Sequence, residues 1–182
     1  MSNDEQDIYS KPGHLIRRLQ QIGVAIFMNE TKGFEITPVQ YSALLAVRNN
    51  LGIDQTTLME IIAFDRSTIG EVVGRLEAKD LLLRVAGKRD RRTKLLYITS
   101  AGRNLIKTIR PRVDAAQRLI MEPLTAGERV QFMRIMRKLV DLNNVHSRVP
   151  LKIVAPQVRP ARRRHSAPQQ TSERDQARRE RS

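Results

Sequence analysis

The chain has 182 residues, room for one globular domain with appendages and too few for two large separate cores. Its 33 Lys and Arg against 19 Asp and Glu give a net charge of +14 and a pI near 11.1, which points to a polyanionic partner, nucleic acid above all. The lack of cysteine excludes disulfides, thiolate metal ligands, Cys nucleophiles and thiol redox sensing, and the lack of Trp with only 4% aromatics argues against a base-stacking single-strand surface.

No apolar run approaches the ~18 residues needed to span a bilayer. Met1 to Lys11 is polar rather than signal-like, so a soluble cytoplasmic protein without a membrane partner is expected. The charge is uneven along the chain. Residues 149–182 carry nine basic and three acidic side chains and four of the eight prolines, and read as a disordered basic tail; residues 1–11 read as a disordered N-terminal segment. Residues 1–148 carry 24 basic and 16 acidic groups, a net +8. Within them, Arg84 to Arg112 holds ten basic residues against Asp90 alone, a net +9.

Helical spacing dominates the body, residues 12–148. From His14 to Met28, Leu15, Leu19, Ile22 and Ile26 recur on one face, widened by Ile16 and Phe27. Thr37-Pro38-Val39-Gln40 is a capping box with proline at the first helical position, predicting a second helix with Tyr41, Leu44 and Leu45 on one face. Asp54 can cap a short third helix containing Leu58, Ile61 and Ile62. After Ala63-Phe64, Asp65 can cap a fourth, whose Ile69, Val72, Val73 and Leu76 form a stripe. Two short helices across so tight a turn predict a helix-turn-helix.

Leu81 to Val85 and Leu95 to Thr99 are apolar runs of strand length around a basic segment, predicting a hairpin. Ser100 is the expected cap of a long helix through Leu119, bent at Pro111. Thr125-Ala126-Gly127-Glu128, a second capping box, opens a last helix with Val130, Met133, Met136, Leu139 and Val140. The expected fold is mainly α with a small β-hairpin wing.

This order of elements resembles the MarR family of winged helix-turn-helix transcriptional regulators over residues 12–145. The most specific stretch is Asp90-Arg91-Arg92-Thr93-Lys94-Leu95-Leu96-Tyr97-Ile98-Thr99-Ser100-Ala101-Gly102-Arg103, similar to the family's wing and the start of its next helix. Arg66-Ser67-Thr68-Ile69, Arg75-Leu76-Glu77 and Leu81-Leu82 resemble its recognition helix and exit strand. The resemblance implies a homodimer built by residues 12–30 and 100–148, with the fourth helix in the major groove and the wing in the flanking minor groove. The implied partner is double-stranded DNA, as a pseudo-palindromic operator on the bacterial nucleoid. The candidate contacts are Ser67, Thr68, Gly70, Glu71 and Arg75 on the helix, and Lys88, Arg89, Arg91, Arg92 and Lys94 on the wing. Arginine suits a narrow minor groove because of its enhanced negative potential. Asp90 is assigned a structural role, since phosphate repels a carboxylate.

One departure stands out. Gly70 and Glu71 occupy positions where many members have Thr-Arg, and Gly74 lies one turn on. Two helical glycines cost about 1 kcal/mol each relative to alanine, while clearing space for DNA. Glu71 can only accept, from groups such as cytosine N4.

His14 and Arg18 at i and i+4 put a polar edge on an apolar helix. A solvated edge or interface ion pairs would explain them. The alternative is a pocket in which an arginine fork holds a carboxylate and a histidine meets a ring substituent. MarR-like proteins often lodge small anionic aromatics between the first helix and the winged domain, so the resemblance implies an aromatic carboxylate effector touched by His14, Arg18 and Tyr41. No nucleophile elbow, phosphate loop or clustered metal ligands occur, so neither an enzyme nor a cofactor is expected. The competing reading is a weakly sequence-specific architectural protein that coats DNA through the wing and the Arg162-Arg163-Arg164 tail.

Overall fold

A computed structural model describes residues 8–87 and 93–150. The wing tip with Lys88, Arg89, Arg91 and Arg92, and the tail beyond Pro150, lie outside the described residues. In chain order the elements are α1 Pro12–Glu30, α2 Pro38–Asn49, β1 Ile53–Asp54, α3 Gln55–Ile62, α4 Arg66–Ala78, β2 Leu82–Ala86, β3 Lys94–Ile98, α5 Ser100–Met121 and α6 Ala126–Asn143. Single 3₁₀ turns stand at Ile8–Ser10 and Asn144–His146.

The helix starts follow local chemistry. Thr37 accepts from the Gln40 N–H at 3.3 Å while the Gln40 side chain accepts the Thr37 N–H at 3.0 Å, closing the expected box. The Asp54 carboxylate accepts the Thr57 N–H at 2.7 Å, and Thr125 with Glu128 forms the second box. α5 departs from expectation: its cap is Thr99, not Ser100. The Thr99 hydroxyl accepts the Gly102 N–H at 2.9 Å and donates to the Asp80 carbonyl at 2.7 Å, so it joins the helix start to the end of α4. Ser100 is the first helical residue instead, and the helix runs on through Pro111.

The hairpin strands sit within one residue of their expected limits, paired antiparallel as Leu82↔Ile98 through Ala86↔Lys94. Unforeseen is β1, two residues that pair with β3 as Ile53↔Leu96 and Asp54↔Leu95 and complete a three-stranded sheet ordered β1-β3-β2. Gly102 is required where α5 crosses this sheet. A Cβ there would lie 2.3 Å from the Leu81 carbonyl oxygen, so only glycine lets the helix approach so closely.

One core joins these elements. Leu44 and Val47 of α2, Leu58 of α3, Ile69, Val73 and Leu76 of α4, Leu96 of β3 and Ile109 of α5 are all fully buried. Burying each such side chain is worth about 1.5–3 kcal/mol. Phe27 is the buried residue of α1. Ile26 is half-buried, and the N-terminal part of the stripe is open, with Leu15, Ile16, Leu19 and Ile22 exposed; α6 has no buried residue.

Candidate nucleic-acid interface and effector residues

The stripe of α4 faces inward, with Ile69, Val72, Val73 and Leu76 all buried. The opposite side therefore presents Ser67, Glu71 and Arg75 to solvent, with Thr68 and Gly70 half-buried at its edge. The start of this helix is held by Asp65. One carboxylate oxygen accepts the Thr68 N–H at 2.8 Å and the Ser67 hydroxyl at 2.7 Å, and the other accepts the Thr68 hydroxyl at 3.0 Å. These bonds, the Thr68 N–H first, hold the Asp65 carboxyl down at about 2. Both hydroxyl protons are thus committed to Asp65, leaving oxygen lone pairs outward.

Glu71 and Arg75 form an exposed i,i+4 ion pair at 3.5 Å, a spacing visible in the sequence. A Cβ on Gly70 would meet the Gln55 amide of α3 at 3.6 Å, and one on Gly74 the Arg84 guanidinium of β2 at 3.7 Å, both ordinary contacts, so each glycine borders a polar side chain of a neighbouring element. Arg84 also pairs with Glu77 at 3.1 Å, fastening β2 to α4.

Lys94, at the start of β3, lines a cleft with Asp54, Gln55, Thr56 and Arg66. The cleft brings the starts of α3 and α4 to the stem of the wing and sets two cations at one mouth. Arg66 was not among the candidates from sequence; its place one residue after the Asp65 cap was the available signal. Arg103 of the family-like stretch is structural, donating to the Ile98 carbonyl at 2.8 Å.

The candidate effector residues are not brought together within one protomer. His14 is half-buried and makes an edge-on contact with Tyr9 at 5.4 Å between ring centroids, whereas Arg18 is exposed. Tyr41 packs on Phe27, centroids 6.2 Å apart. At 1.5 Å per residue, Phe27 is about 20 Å along α1 from His14 and about 14 Å from Arg18. Burial pushes the Tyr41 hydroxyl up, Arg48 and Arg110 oppose this, and Asp114 adds to it. Arg110 and Asp114 are themselves paired at 3.7 Å on α5. Sequence reasoning overlooked this seam of α1, α2 and α5 because its members are distant in the chain.

Among the described residues there is no group of three His, Asp or Glu placed to hold a metal, and no helix long and apolar enough to cross a membrane.

The profile of the MarR family matches residues 34–93. The chain is 31% identical to the HTH-type transcriptional repressor NicR of Pseudomonas putida, over 78% of this chain and 89% of that protein. Among solved structures, the PcaV transcriptional regulator of Streptomyces coelicolor with its natural ligand superposes with a TM-score of 0.69 at 36% identity, covering 74% of this chain and 95% of PcaV. BpsR of Bordetella bronchiseptica, whose structure concerns regulation of its DNA binding by 6-hydroxynicotinic acid, gives a TM-score of 0.70 at 30% identity, with 74% and 96% covered.

Proposed function

The chain belongs to the MarR family of transcriptional regulators, and from that membership we propose a homodimeric, sequence-specific repressor, released from a pseudo-palindromic operator by a small aromatic carboxylate. It works by binding rather than catalysis, in the cytoplasm on nucleoid DNA. The observation that carries the reading is the outward face of α4, exposed at Ser67, Glu71 and Arg75, beside the cleft of Arg66 and Lys94. On this reading α4 enters the major groove with Ser67, Thr68, Gly70, Glu71 and Arg75 against DNA. Lys88, Arg89, Arg91, Arg92 and Lys94 of the wing take the flanking minor groove and phosphates.

Dimerisation is supported by the open apolar faces of α1 and α6. Val130 is 72% exposed and Val140 51%, and Met133 and Leu139 are exposed on the same helix; exposed apolar side chains grouped on one element mark an association face. A second copy also supplies the paired half-sites that tight operator binding needs.

The effector is supported by relatives: PcaV has a natural ligand, and 6-hydroxynicotinic acid regulates BpsR. Arg18 is assigned to the carboxylate, with His14 and Tyr41 at the ring. Since Tyr41 lies at the opposite half of α1 from His14, the three share one ligand when α1 of the second copy brings its N-terminal half to Tyr41. Release requires the ligand to favour a dimer whose recognition helices are wrongly spaced, and a preference of about 3 kcal/mol lowers operator affinity more than a hundredfold.

Footprinting on the DNA around the coding sequence tests the DNA reading. A protected block of about two helical turns supports it, and uniform protection without preference favours the architectural alternative; deletion of residues 150–182 should weaken binding to all DNA similarly and flatten its salt dependence. Sedimentation showing only a 20.9 kDa species would overturn the dimer. Calorimetry with hydroxybenzoates, hydroxycinnamates and hydroxylated pyridine carboxylates tests the effector, with loss of binding expected in Arg18→Ala.

A further inference from the structure

We propose that Glu71 is a base-selecting residue: its carboxylate accepts from an amino group on the major-groove edge, that of cytosine N4, while Arg75 one turn on takes the accompanying guanine. The inference rests on the assignment of α4 as the recognition helix and names what that helix would read.

The argument begins with what the outward face can offer. The Ser67 and Thr68 hydroxyl protons are held by Asp65, so both present lone pairs. Gly70, Gly74 and Ala78 contribute no polar side chain, and Glu71 accepts only. Along the exposed side from Ser67 to Ala78, Arg75 is the side chain with donors to give. Such a face suits base edges that donate. In the major groove these are cytosine N4 and adenine N6, whereas guanine and thymine present acceptors to which a carboxylate has nothing to bind. Adenine also places its N7 acceptor beside N6, where the second oxygen of Glu71 would be repelled, so cytosine fits better. Facing guanine or thymine, the carboxylate would lose water without a partner, so Glu71 rejects as well as selects.

The ion pair strengthens the match. Glu71 and Arg75 lie 3.5 Å apart and both are well exposed, so the contact is weak enough to re-form on DNA. A C·G pair presents the N4 donor and the guanine O6 and N7 acceptors along one groove edge, the complement of a carboxylate beside a guanidinium. Charge points the same way. In a chain of +14, α4 and its cap carry Asp65, Glu71 and Glu77 against Arg66 and Arg75. This helix therefore adds little to sequence-independent attraction for phosphate, and its polar groups are better explained by discrimination.

Selection of bound duplexes from a randomised library, followed by titration of single-base variants at fixed salt, tests this with the full chain. Wild type should enrich a C·G pair at one half-site position, and replacing that pair should weaken binding roughly ten- to a hundredfold. Glu71→Gln should move the preference towards adenine, and Glu71→Ala should erase it while binding to mismatched duplexes rises. Arg75→Ala should weaken binding to the preferred C·G duplex while the order of preference among the four base pairs stays that of wild type. Both sites are exposed, and unchanged melting will show that the variants fold. An unaltered base preference in Glu71→Ala overturns the inference while leaving DNA binding intact. Failure of wild type to enrich any sequence overturns the assignment of α4 itself.

Discussion

In α4 all four positions of the apolar stripe are buried, whereas in α6 Val130, Met133, Leu139 and Val140 are all exposed. The two helices, of 13 and 18 residues, have comparable periodicity and a side-chain cap each. They differ in what covers the stripe. The α4 stripe packs against α2, α3 and β2, all within about fifty residues of chain. Among the described residues, the stripe of α6 is at most half-buried, at Met136, and that of the N-terminal half of α1 is exposed at Leu15, Ile16, Leu19 and Ile22. The stripe of α4 is closed within the protomer; the open faces of α1 and α6 are, on the proposed reading, closed by a second copy.

The sharpest way to break this contrast is to remove one side chain from each stripe. Leu76→Ala should destabilise by about 2–5 kcal/mol, the usual cost of a leucine-sized cavity in a close-packed interior, and the loss should not depend on protein concentration. Leu139→Glu should leave no cavity in a protomer. Its effect should appear as a shift from dimer to monomer in sedimentation and as a melting temperature that no longer rises with concentration. Equal, concentration-independent losses from both would show that α6 packs within its own chain. Next in size, Gly102→Ala should cost about 1–3 kcal/mol, because the new methyl would overlap the Leu81 carbonyl and force α5 off the sheet. Thermal melting of the variant checks it.

Much of this architecture was legible because it is local. The caps at Thr37, Asp54, Asp65 and Thr125 each join residues three apart, and the α4 stripe needs only its own spacing. What was missed depends on contacts between distant segments. β1 is two residues long, too short for any alternation to mark it, and is defined only by Leu95 and Leu96 some forty residues on. Thr99 and Ser100 are both competent caps by chemistry; the choice falls to Thr99 because its hydroxyl also reaches the Asp80 carbonyl. The same holds for function. The exposed face of α4 could be read from its stripe, but the direction in which Gly70 and Gly74 face depends on Gln55 and Arg84. The separation of Tyr41 from His14 follows from where α2 crosses α1, which no spacing within either helix encodes.

The capping boxes allow a finer comparison, since the same motif occurs in both regions. Thr37→Ala should lower stability by about 1 kcal/mol, because α2 is packed into the core and cannot fray without opening it. Thr125→Ala should have a smaller effect on melting of the core, since the turn it secures precedes a helix with no buried residue. Helix content should fall locally instead. Equal losses would place α6 in the same cooperative unit as α2.

The smallest expected effect is a dependence on pH. The hydrogen bonds to Asp65 hold its carboxyl at about 2 against an ordinary 3.8, so folding favours the ionised form. A group whose folded value is depressed contributes stability that is complete above its unfolded value and is lost as pH falls through the folded one. The difference in melting temperature between wild type and Asp65→Ala should therefore be constant from pH 7 to about 5. It should shrink between about pH 4 and 2, then vanish as the carboxylate is protonated. Glu128 is held down in the same sense by the Thr125 N–H and hydroxyl, yet it guards α6. Glu128→Ala should leave the core transition without this acid window, since fraying of α6 exposes no buried side chain. A matching window for both variants would contradict the division between a segment that closes its own core and helices that await a second copy.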